Sequence, residues 1–214
     1  AALGGQSWLC GVLGRDAVAE SLIAGFHDGV EISSLVRPGS YRTPTKTRIL
    51  AGGVHSAKQQ VVRIDRTPPA VTSSTSKVFL KAVYRAIKGC DAVIVSDYGS
   101  GLVTPALAQT IKLQVAKTKR RRPVPIVIDS RYHLLDYKGF TACTPNESEV
   151  EQLLGLTIGE DAKALEKAGR TVLKRLRMAA TLITRGSRGM ALFERKQRPV
   201  HVPIFGSDET VDVT

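Results

Sequence analysis

From residue 74 onward, short apolar segments alternate with longer segments in which apolar residues recur every three or four positions. The short segments, which we predict to be strands, cover residues 92–95, 125–128, 140–143, 181–183, 190–194 and 200–204. The longer segments have helical periodicity, as in Phe79, Val83 and Ile87. Continuous apolar strands separated by amphipathic helices are typical of a parallel sheet that helices cover on both faces. The predicted fold class is therefore α/β with a mostly parallel sheet.

The first part of the chain is less regular. Residues 8–13 are predicted to form one buried strand. Val18, Leu22 and Phe26 then recur at helical spacing, so we expect them to form the inward face of a helix that ends near Gly29. With 214 residues, the chain is long enough for one domain with a full core.

A hairpin is predicted before the regular alternation begins. Two β-like runs, residues 45–51 and 58–65, flank two consecutive glycines. Lys46 and Arg48 are two positions apart, so they share one face of the hairpin, and the opposite face is free to be buried. Because the hairpin interrupts the strand–helix order, we expect residues 45–65 to form a small β flap, which serves as a lid or a dimer contact.

The stretch T-P-N-E-S-E-V-E-Q-L-L-G at residues 144–155 predicts a helix start immediately after a strand. Two registers are possible for its cap. Thr144 can cap with Glu147 three residues later, or Asn146 can cap with Glu149 in the same arrangement. In the simplest interpretation these polar residues only cap the helix. A strand followed by a polar turn and a helix N-terminus is also where open α/β sheets bind ligands.

Four successive predicted strands end in polar clusters, which are Asp97, Asp129, Asn146 with Glu149, and Thr184-Arg185-Gly186. The carboxyl ends of parallel strands lie at one sheet edge, so the four clusters are expected to converge. Each cluster by itself is explained equally well by an ordinary turn or cap. Together, acids in three clusters and a cation beside glycines in the fourth suit a magnesium–polyphosphate site. Glu149 is the residue expected to hold the metal, through water.

Charge, apolar runs and cysteines indicate which partners and which compartment are expected. The formal net charge of +12 suits binding of phosphorylated small molecules and of nucleic acid alike. The densest basic run, residues 117–122, follows a predicted helix without interleaved aromatic residues, so we interpret it as a solvated helix end and expect no nucleic-acid partner. No apolar run reaches the length of a membrane span. Cys10, Cys90 and Cys143 are far apart, which favours small core residues in a reducing cytosol.

Motifs for other chemistries are absent from the sequence. There is no G-x-x-x-x-G-K-[ST], no G-x-G-x-x-G and no G-x-S-x-G, so a P-loop, a dinucleotide fold and a nucleophile elbow are not predicted. The four histidines are scattered without metal-ligand spacing.

Several motifs are shared with a known family. They are P-T-K-T-R at 44–48, Q-Q-V-V-R-I-D at 59–65, S-D-Y-G at 96–99, T-P-N-E-S-E at 144–149, I-T-R-G-S-R-G-M at 183–190 and D-V-T at 212–214. Over nearly its whole length the chain resembles the ribokinase-like (PfkB-type) sugar kinases, and among them the D-glycero-β-D-manno-heptose-7-phosphate kinases. The N-x-x-E and T-R-G-x-x-G patterns point to the wider family, and the first three motifs are more particular to the heptose kinases.

The resemblance implies ATP- and Mg²⁺-dependent phosphorylation of a sugar phosphate at its anomeric hydroxyl. It implies that the nucleotide is bound by Asn146, Glu149, Thr184, Arg185, Gly186 and Gly189. It also implies that Glu149 binds the metal. It also implies six candidates for sugar-phosphate binding, which are Lys46, Arg48, Gln60, Arg63, Asp97 and Asp129. The same resemblance implies a cytoplasmic homodimer, with the β flap as a possible dimer contact.

The family pattern continues with a G-A-G-D segment, which supplies an anion hole and the aspartate general base. Because the sequence given stops at Thr214, we expect a single ribokinase-like domain, 1–214, that is truncated at both ends. We expect no catalytic base within it and no turnover by this fragment alone. Two alternatives stay open: a non-catalytic module that binds nucleotide and sugar phosphate, and a kinase of the same family for another sugar.

Overall fold

The computed structural model describes residues 1, 3–52, 59–118 and 121–205. The chain divides into two compact units, one formed by Ala1–Gly89 with Ser100–Leu102 and the other by Cys90–Gly99 with Val103–Thr214. None of the described helices is both long enough and apolar enough to cross a membrane.

Within its described residues, the first unit contains six strands and two helices. They are β1 (Ser7–Trp8), β2 (Gly11–Val12), α1 (Ala17–Ala24), β3 (Val30–Glu31), β4 (Leu35–Val36), β5 (Thr45–Ala51), β6 (Gln59–Arg66) and α2 (Ser73–Ala86). β1 pairs in parallel with β3, and β2 pairs in parallel with β4. In and just after α2, the predicted inward residues Phe79, Val83 and Ile87 are all buried, which confirms the helical face inferred from their spacing.

Three predictions for the start of the chain are wrong, and one of them is the end of α1, which lies at Ala24 and not near Gly29. Residues 8–13 do not form one strand, because β1 and β2 are separate two-residue strands. The inward face of α1 is also different from the expected one. Val18 and Leu22 are each 44% exposed, whereas Ala19 is fully buried. Asp16 sets this phase, because its carboxylate caps the helix by accepting from the Ala19 N–H and is anchored by the Thr43 N–H.

The hairpin of β5 and β6 is confirmed as an antiparallel pair, with an irregularity between Ile49 and Leu50. Part of its predicted glycine turn lies outside the described residues. Every residue of β6 is exposed, including Val62 and Ile64, and Ile49 opposite Val62 is 48% exposed. The expectation that one face of the hairpin is buried is therefore not met within the described part of the chain.

The second unit is built on one six-stranded sheet. Its elements are β7 (Val93–Asp97), α3 (Pro105–Lys117), β8 (Ile126–Ser130), β9 (Ala142–Cys143), α4 (Glu147–Leu154), α5 (Ala162–Leu176), β10 (Ala180–Thr184), β11 (Met190–Glu194) and β12 (Val200–Val202). The strands lie in the order β7-β8-β9-β10-β11-β12. The pairs from β7 to β10 are parallel, and β11 and β12 add antiparallel pairs. This confirms the predicted α/β class with a mostly parallel sheet.

Helices cover this sheet because their apolar residues share one side. In α5, Leu165, Ala168, Val172 and Leu176 recur at helical spacing and are fully buried. Coverage is incomplete at one edge. Ile94, in the edge strand β7, is 74% exposed, so the described residues do not cover both faces of that strand.

The cysteine prediction is confirmed in part. Cys143 is fully buried beside Thr181, and burial raises the pKa of its thiol to about 11. Cys10 and Cys90 are only half-buried.

Candidate functional site

The carboxyl ends of β7 to β10 lie at one edge of the sheet, because these four strands are parallel. The register pairs Ser96 with Asp129 across β7 and β8. At the other end of the group, an isolated parallel bridge joins Asn146 to Thr184, and the Thr184 N–H donates to the Pro145 carbonyl at 3.0 Å. The polar clusters that follow these strands are therefore neighbours in the fold.

Asp97 is the exception among these residues, because its side chain is buried inside the fold. Its carboxylate accepts hydrogen bonds from the Gly99 N–H at 2.9 Å, the Tyr137 hydroxyl at 2.8 Å and the Ser130 hydroxyl at 3.4 Å. Its exposed fraction is 2%. The structure thus places Asp97 in a structural position, whereas the sequence predicts it at the substrate surface. The physical reason is strand alternation, which puts Asp97 on the same side of β7 as the buried Val95.

Ser96 and Tyr98 occupy the exposed side instead, and the sequence prediction missed both. The Tyr98 hydroxyl donates to Asp129 Oδ2 at 3.2 Å, and the Ser96 hydroxyl lies 3.5 Å from the same oxygen. The charge of Asp129 raises the pKa of the Tyr98 phenol, and burial raises it further. The S-D-Y-G motif contained the signal, because residues next to a buried strand position point to the opposite face.

Asn146 and Glu149 form a complete capping box at the start of α4. The Glu149 N–H donates to Asn146 Oδ1 at 2.8 Å, and the Asn146 N–H donates to Glu149 Oε2 at 2.9 Å. The structure thereby selects the second of the two predicted registers, and Thr144 is not the cap. Asp161 caps the following helix without any such pairing.

The Glu149 carboxylate is also electrostatically linked to the strand ends. Burial is the main cause that raises the pKa of this carboxyl, and the negative charge of Asp129 raises it further. The Asn146 N–H and the positive charge of Arg131 act in the opposite direction. The negative charge of Asp129 thus disfavours the ionisation of Glu149, and a bound cation would relieve this repulsion.

The donor chemistry of this pair fits a hard cation. Mg²⁺ prefers oxygen ligands, keeps several waters and is held in nucleotide sites by one or two carboxylates. No group of three or more His, Cys, Asp or Glu side chains with metal-binding geometry exists among the described residues, so a closed protein cage for a metal is not present in that part of the chain. A carboxylate pair at an open sheet edge is compatible with a metal shared with a ligand.

The segment after β10 turns back sharply toward β11. Gly186 and Gly189 both have left-handed φ angles, of 56° and 75°, and a Cβ added at Gly189 would collide with the carbonyl oxygen of Val202. Arg185, predicted as a nucleotide ligand, is instead nearly buried and bonded within the fold. It donates to Glu147 at 2.6 Å and to the Gly159 carbonyl at 2.8 Å.

The cationic residues of the hairpin lie in the first unit and share one face. The register places Lys46 opposite Asp65 and Arg48 opposite Arg63. Gln60 lies opposite Leu50, which is two positions from Arg48 and therefore on the same face. Arg63 also donates to Asp65 at 3.0 Å. Two arginines directly opposite each other repel, and the carboxylate of Asp65 offsets part of their charge.

Comparisons with known proteins agree with this architecture. A family model described as pfkB family carbohydrate kinase matches residues 1–214. The chain is 33% identical over 216 residues to the bifunctional protein HldE of Trichlorobacter lovleyi and 34% identical over 217 residues to that of Citrifermentans bemidjiense. Each match covers 100% of this chain and 42% of the relative, so the chain spans less than half the length of these relatives.

Solved structures share the fold at low sequence identity. Phosphofructokinase-2 from Escherichia coli, in complex with fructose-6-phosphate, matches with a TM-score of 0.71 at 15% identity, over 94% of this chain and 63% of that one. Ribokinase from Arabidopsis thaliana, complexed with ribose and ATP, matches with a TM-score of 0.67 at 19% identity, over 98% and 64% of the two chains.

Proposed function

The chain belongs to the pfkB family of carbohydrate kinases, and from this premise we propose that it forms part of an ATP-dependent kinase for a sugar phosphate. The proposed substrate is D-glycero-β-D-manno-heptose 7-phosphate. The transferred group is the γ-phosphoryl of ATP. Its bond to the β-phosphate oxygen breaks, a bond to the anomeric oxygen of the sugar forms, and ADP leaves.

The observation that carries this proposal is the meeting of Asp129, Asn146 and Glu149 at the carboxyl end of a parallel sheet. This edge is where open α/β folds bind nucleotides. The first turn of α4 adds backbone N–H groups and the positive end of the helix dipole. Thr184 and the glycines of the 185–189 segment lie beside it through the Asn146–Thr184 bridge. We assign the nucleotide phosphates to this edge.

Mg²⁺ is the proposed metal, held through water by Glu149 with Asp129 as a second carboxylate. When bound, Mg²⁺ would neutralise part of the negative charge on the phosphates of ATP. The chain's own residues then have separate roles. Asn146 orients Glu149 through the capping box, and Tyr98 and Ser96 orient Asp129 by hydrogen bonds.

The proton of the sugar hydroxyl must pass to a general base as the new bond forms. We assign none of the described carboxylates to this task. Asp97 is buried with three donors on its carboxylate, and Asp129 and Glu149 are assigned to the metal.

The hairpin of β5 and β6 is proposed to bind the phosphate of the sugar through Lys46, Arg48, Gln60 and Arg63. Its cationic face supports this role, since Arg48 lies directly opposite Arg63. Guanidinium groups bind phosphate oxygens in a bidentate manner, and a bound dianion removes the repulsion between the two arginines.

We also propose a homodimer in which the opposite, apolar face of the hairpin contacts a second copy. Ile49, Val62 and Ile64 are each at least 40% exposed on that face. Clustered exposed apolar residues mark interaction surfaces. Sedimentation of the full-length protein tests this: Val62→Glu should convert a dimer to a monomer, and a monomeric wild type contradicts it. A cytoplasmic location is part of the same proposal, because three cysteines that lie far apart in the sequence favour a reducing compartment.

The test of the proposed function is a substrate panel on the full-length protein. With ATP and Mg²⁺, kcat/KM for heptose 7-phosphate should exceed that for fructose 6-phosphate and for ribose by at least about 100-fold, which is about 2.7 kcal/mol in transition-state stabilisation. A preference for another sugar would indicate a kinase of the same family with that sugar as its substrate. ATP binding without phosphorylation of any of these sugars would indicate a non-catalytic module.

A further inference from the structure

Glu147 is the centre of an ionic cluster behind the proposed nucleotide edge. It is the first residue of α4, and it is 8% exposed. One carboxylate oxygen accepts from Arg185 Nε at 2.6 Å, and the other accepts from Arg188 Nη2. Both arginines also donate to the carbonyl oxygen of Gly159, at 2.8 Å from Arg185 and 2.6 Å from Arg188.

The cluster joins three segments that are distant in sequence. Arg185 and Arg188 lie in the segment that follows β10, Glu147 begins α4, and Gly159 lies between α4 and α5. The Gly159 segment is itself tied to α4, because the Ile158 N–H donates to Glu151 Oε1 at 2.6 Å. The two arginines are therefore held from two sides, by α4 and by a segment that is hydrogen-bonded to α4.

Stability alone does not explain such a cluster. Arg185 and Glu147 are 12% and 10% exposed, and a buried ion pair often contributes little net stability because taking each charge out of water costs several kcal/mol. Arg188 is 41% exposed, and exposed ion pairs contribute little as well. What ionic contacts do provide is a defined geometry, because the planar guanidinium fixes direction as well as distance. In this cluster, the ionic contacts fix the position of the segment between Thr184 and Gly189.

We propose that Glu147, Arg185 and Arg188 form a positioning clamp that holds the 185–189 segment against the N-terminus of α4. This inference rests on the proposed function, in which that segment and Asn146 receive the nucleotide. The clamp acts on nucleotide affinity through the position of the segment. Arg185 and Arg188 are positioning residues, and their guanidinium groups do not bind phosphate.

The clamp and direct phosphate binding predict opposite effects of one substitution. If the arginines bound phosphate, Glu147 would compete with ATP for them, and Glu147→Gln would strengthen ATP binding. If the arginines position the segment, Glu147→Gln removes the charge that holds them, and ATP binding weakens. Glutamine has the shape of glutamate, so the change tests charge with little change in volume.

The experiment measures ATP dissociation constants by titration calorimetry, together with KM values and melting temperatures, for the full-length protein. Glu147→Gln should raise the ATP dissociation constant and the KM for ATP at least tenfold, and the KM for the sugar phosphate should change less than twofold. Arg188→Gln should act in the same direction, but direct phosphate binding by Arg188 predicts the same loss, so the variants of Glu147 decide between the two models. If Glu147→Gln fails to fold, Glu147→Asp is the second variant, because it keeps the charge and shortens the reach to the two arginines, so ATP binding should again weaken. Arg188→Lys, which keeps the charge, should restore part of the affinity.

The control is Glu166→Gln, which removes an exposed pair with Arg170 in α5 and should change none of these values. Tighter or unchanged ATP binding in Glu147→Gln and Arg188→Gln overturns the clamp. A lowered melting temperature with normal ATP affinity also overturns it, because that result is expected from a purely structural role. Failure of the wild type to bind ATP overturns the proposed function, and the clamp with it.

Discussion

The hydroxyl of Tyr137 donates a 2.8 Å hydrogen bond to the carboxylate of Asp97, and both side chains are buried. This contact joins the last residue of β7 to the segment that follows β8. Asp97 also receives the Gly99 N–H, so it fixes the turn from which Tyr98 reaches Asp129. A buried pair thus sets the position of Tyr98 and, through it, of Asp129, which we propose to lie at the nucleotide site.

Removal of the Tyr137 hydroxyl should destabilise the protein. Tyr137→Phe leaves the buried Asp97 carboxylate with one donor fewer, which costs about 1–3 kcal/mol. Denaturant unfolding of the full-length protein measures this. Tyr132→Phe is the matched control, since Tyr132 is 65% exposed, and it should change the free energy of unfolding by less than about 0.5 kcal/mol. Equal effects of the two changes would show that the buried bond contributes nothing.

The same phenol predicts loss of stability in alkali. Burial, and then the hydrogen bond to Asp97, raise the pKa of Tyr137 above its ordinary value of about 10. Above pH 10 the unfolded chain loses this proton while the folded chain keeps it. The free energy of unfolding should therefore fall as the pH rises above about 10, and this fall should be smaller in Tyr137→Phe. An identical pH dependence in both proteins would contradict the prediction.

Glu149→Gln should separate activity from stability. Turnover should fall at least tenfold, because the carboxylate assigned to the metal is lost, which corresponds to about 1.4 kcal/mol. Stability at pH 7 should stay equal or rise. The folded-state pKa of Glu149 is raised, so its ionisation at pH values above the unfolded pKa costs folding free energy, and glutamine avoids that cost. Glutamine also keeps the capping box. Normal turnover with a lowered melting temperature would leave Glu149 as a cap only.

Two glycines of the 185–189 segment should respond differently to alanine. Gly186→Ala meets no atom within 4 Å, so it should cost only the strain of a left-handed backbone, about 1–2 kcal/mol. Gly189→Ala adds a collision with the carbonyl oxygen of Val202 to the same kind of strain. It should separate β11 from β12 and lower the free energy of unfolding clearly more than Gly186→Ala does. Melting temperatures of the two variants, measured side by side, test the order, and a more severe Gly186→Ala would contradict the structure.

Neutralisation of the hairpin cations should affect sugar binding selectively. Replacement of Lys46, Arg48 and Arg63 by glutamine should raise the KM for the phosphorylated sugar at least tenfold and that for ATP less than twofold, because the charges that receive the sugar phosphate are lost. Arg121→Gln with Arg122→Gln is the control, and it should raise neither. Similar effects from both sets would mean that only overall charge matters, with no specific phosphate site on the hairpin.

The local order of the fold could be predicted from the sequence. Apolar segments of strand length and amphipathic segments of helix length appear where β7 to β12 and α2 to α5 are found. These signals are local, because the period of apolar residues depends only on which face of each element is buried. The N-x-x-E pattern likewise placed Asn146 and Glu149 together, since a capping box spans only three residues.

The tertiary structure decided which side chains are exposed at the proposed nucleotide edge and which face the core. Asp97 and Tyr98 are adjacent in sequence, yet one is 2% and the other 55% exposed. Arg185 and Glu147 are 38 residues apart, and only the pairing of β9 with β10 brings them within 2.6 Å. The sequence of an acidic residue or an arginine is the same whether its side chain lies in the core or in a binding site. Its role depends on partners from other segments, and no local pattern carries that information.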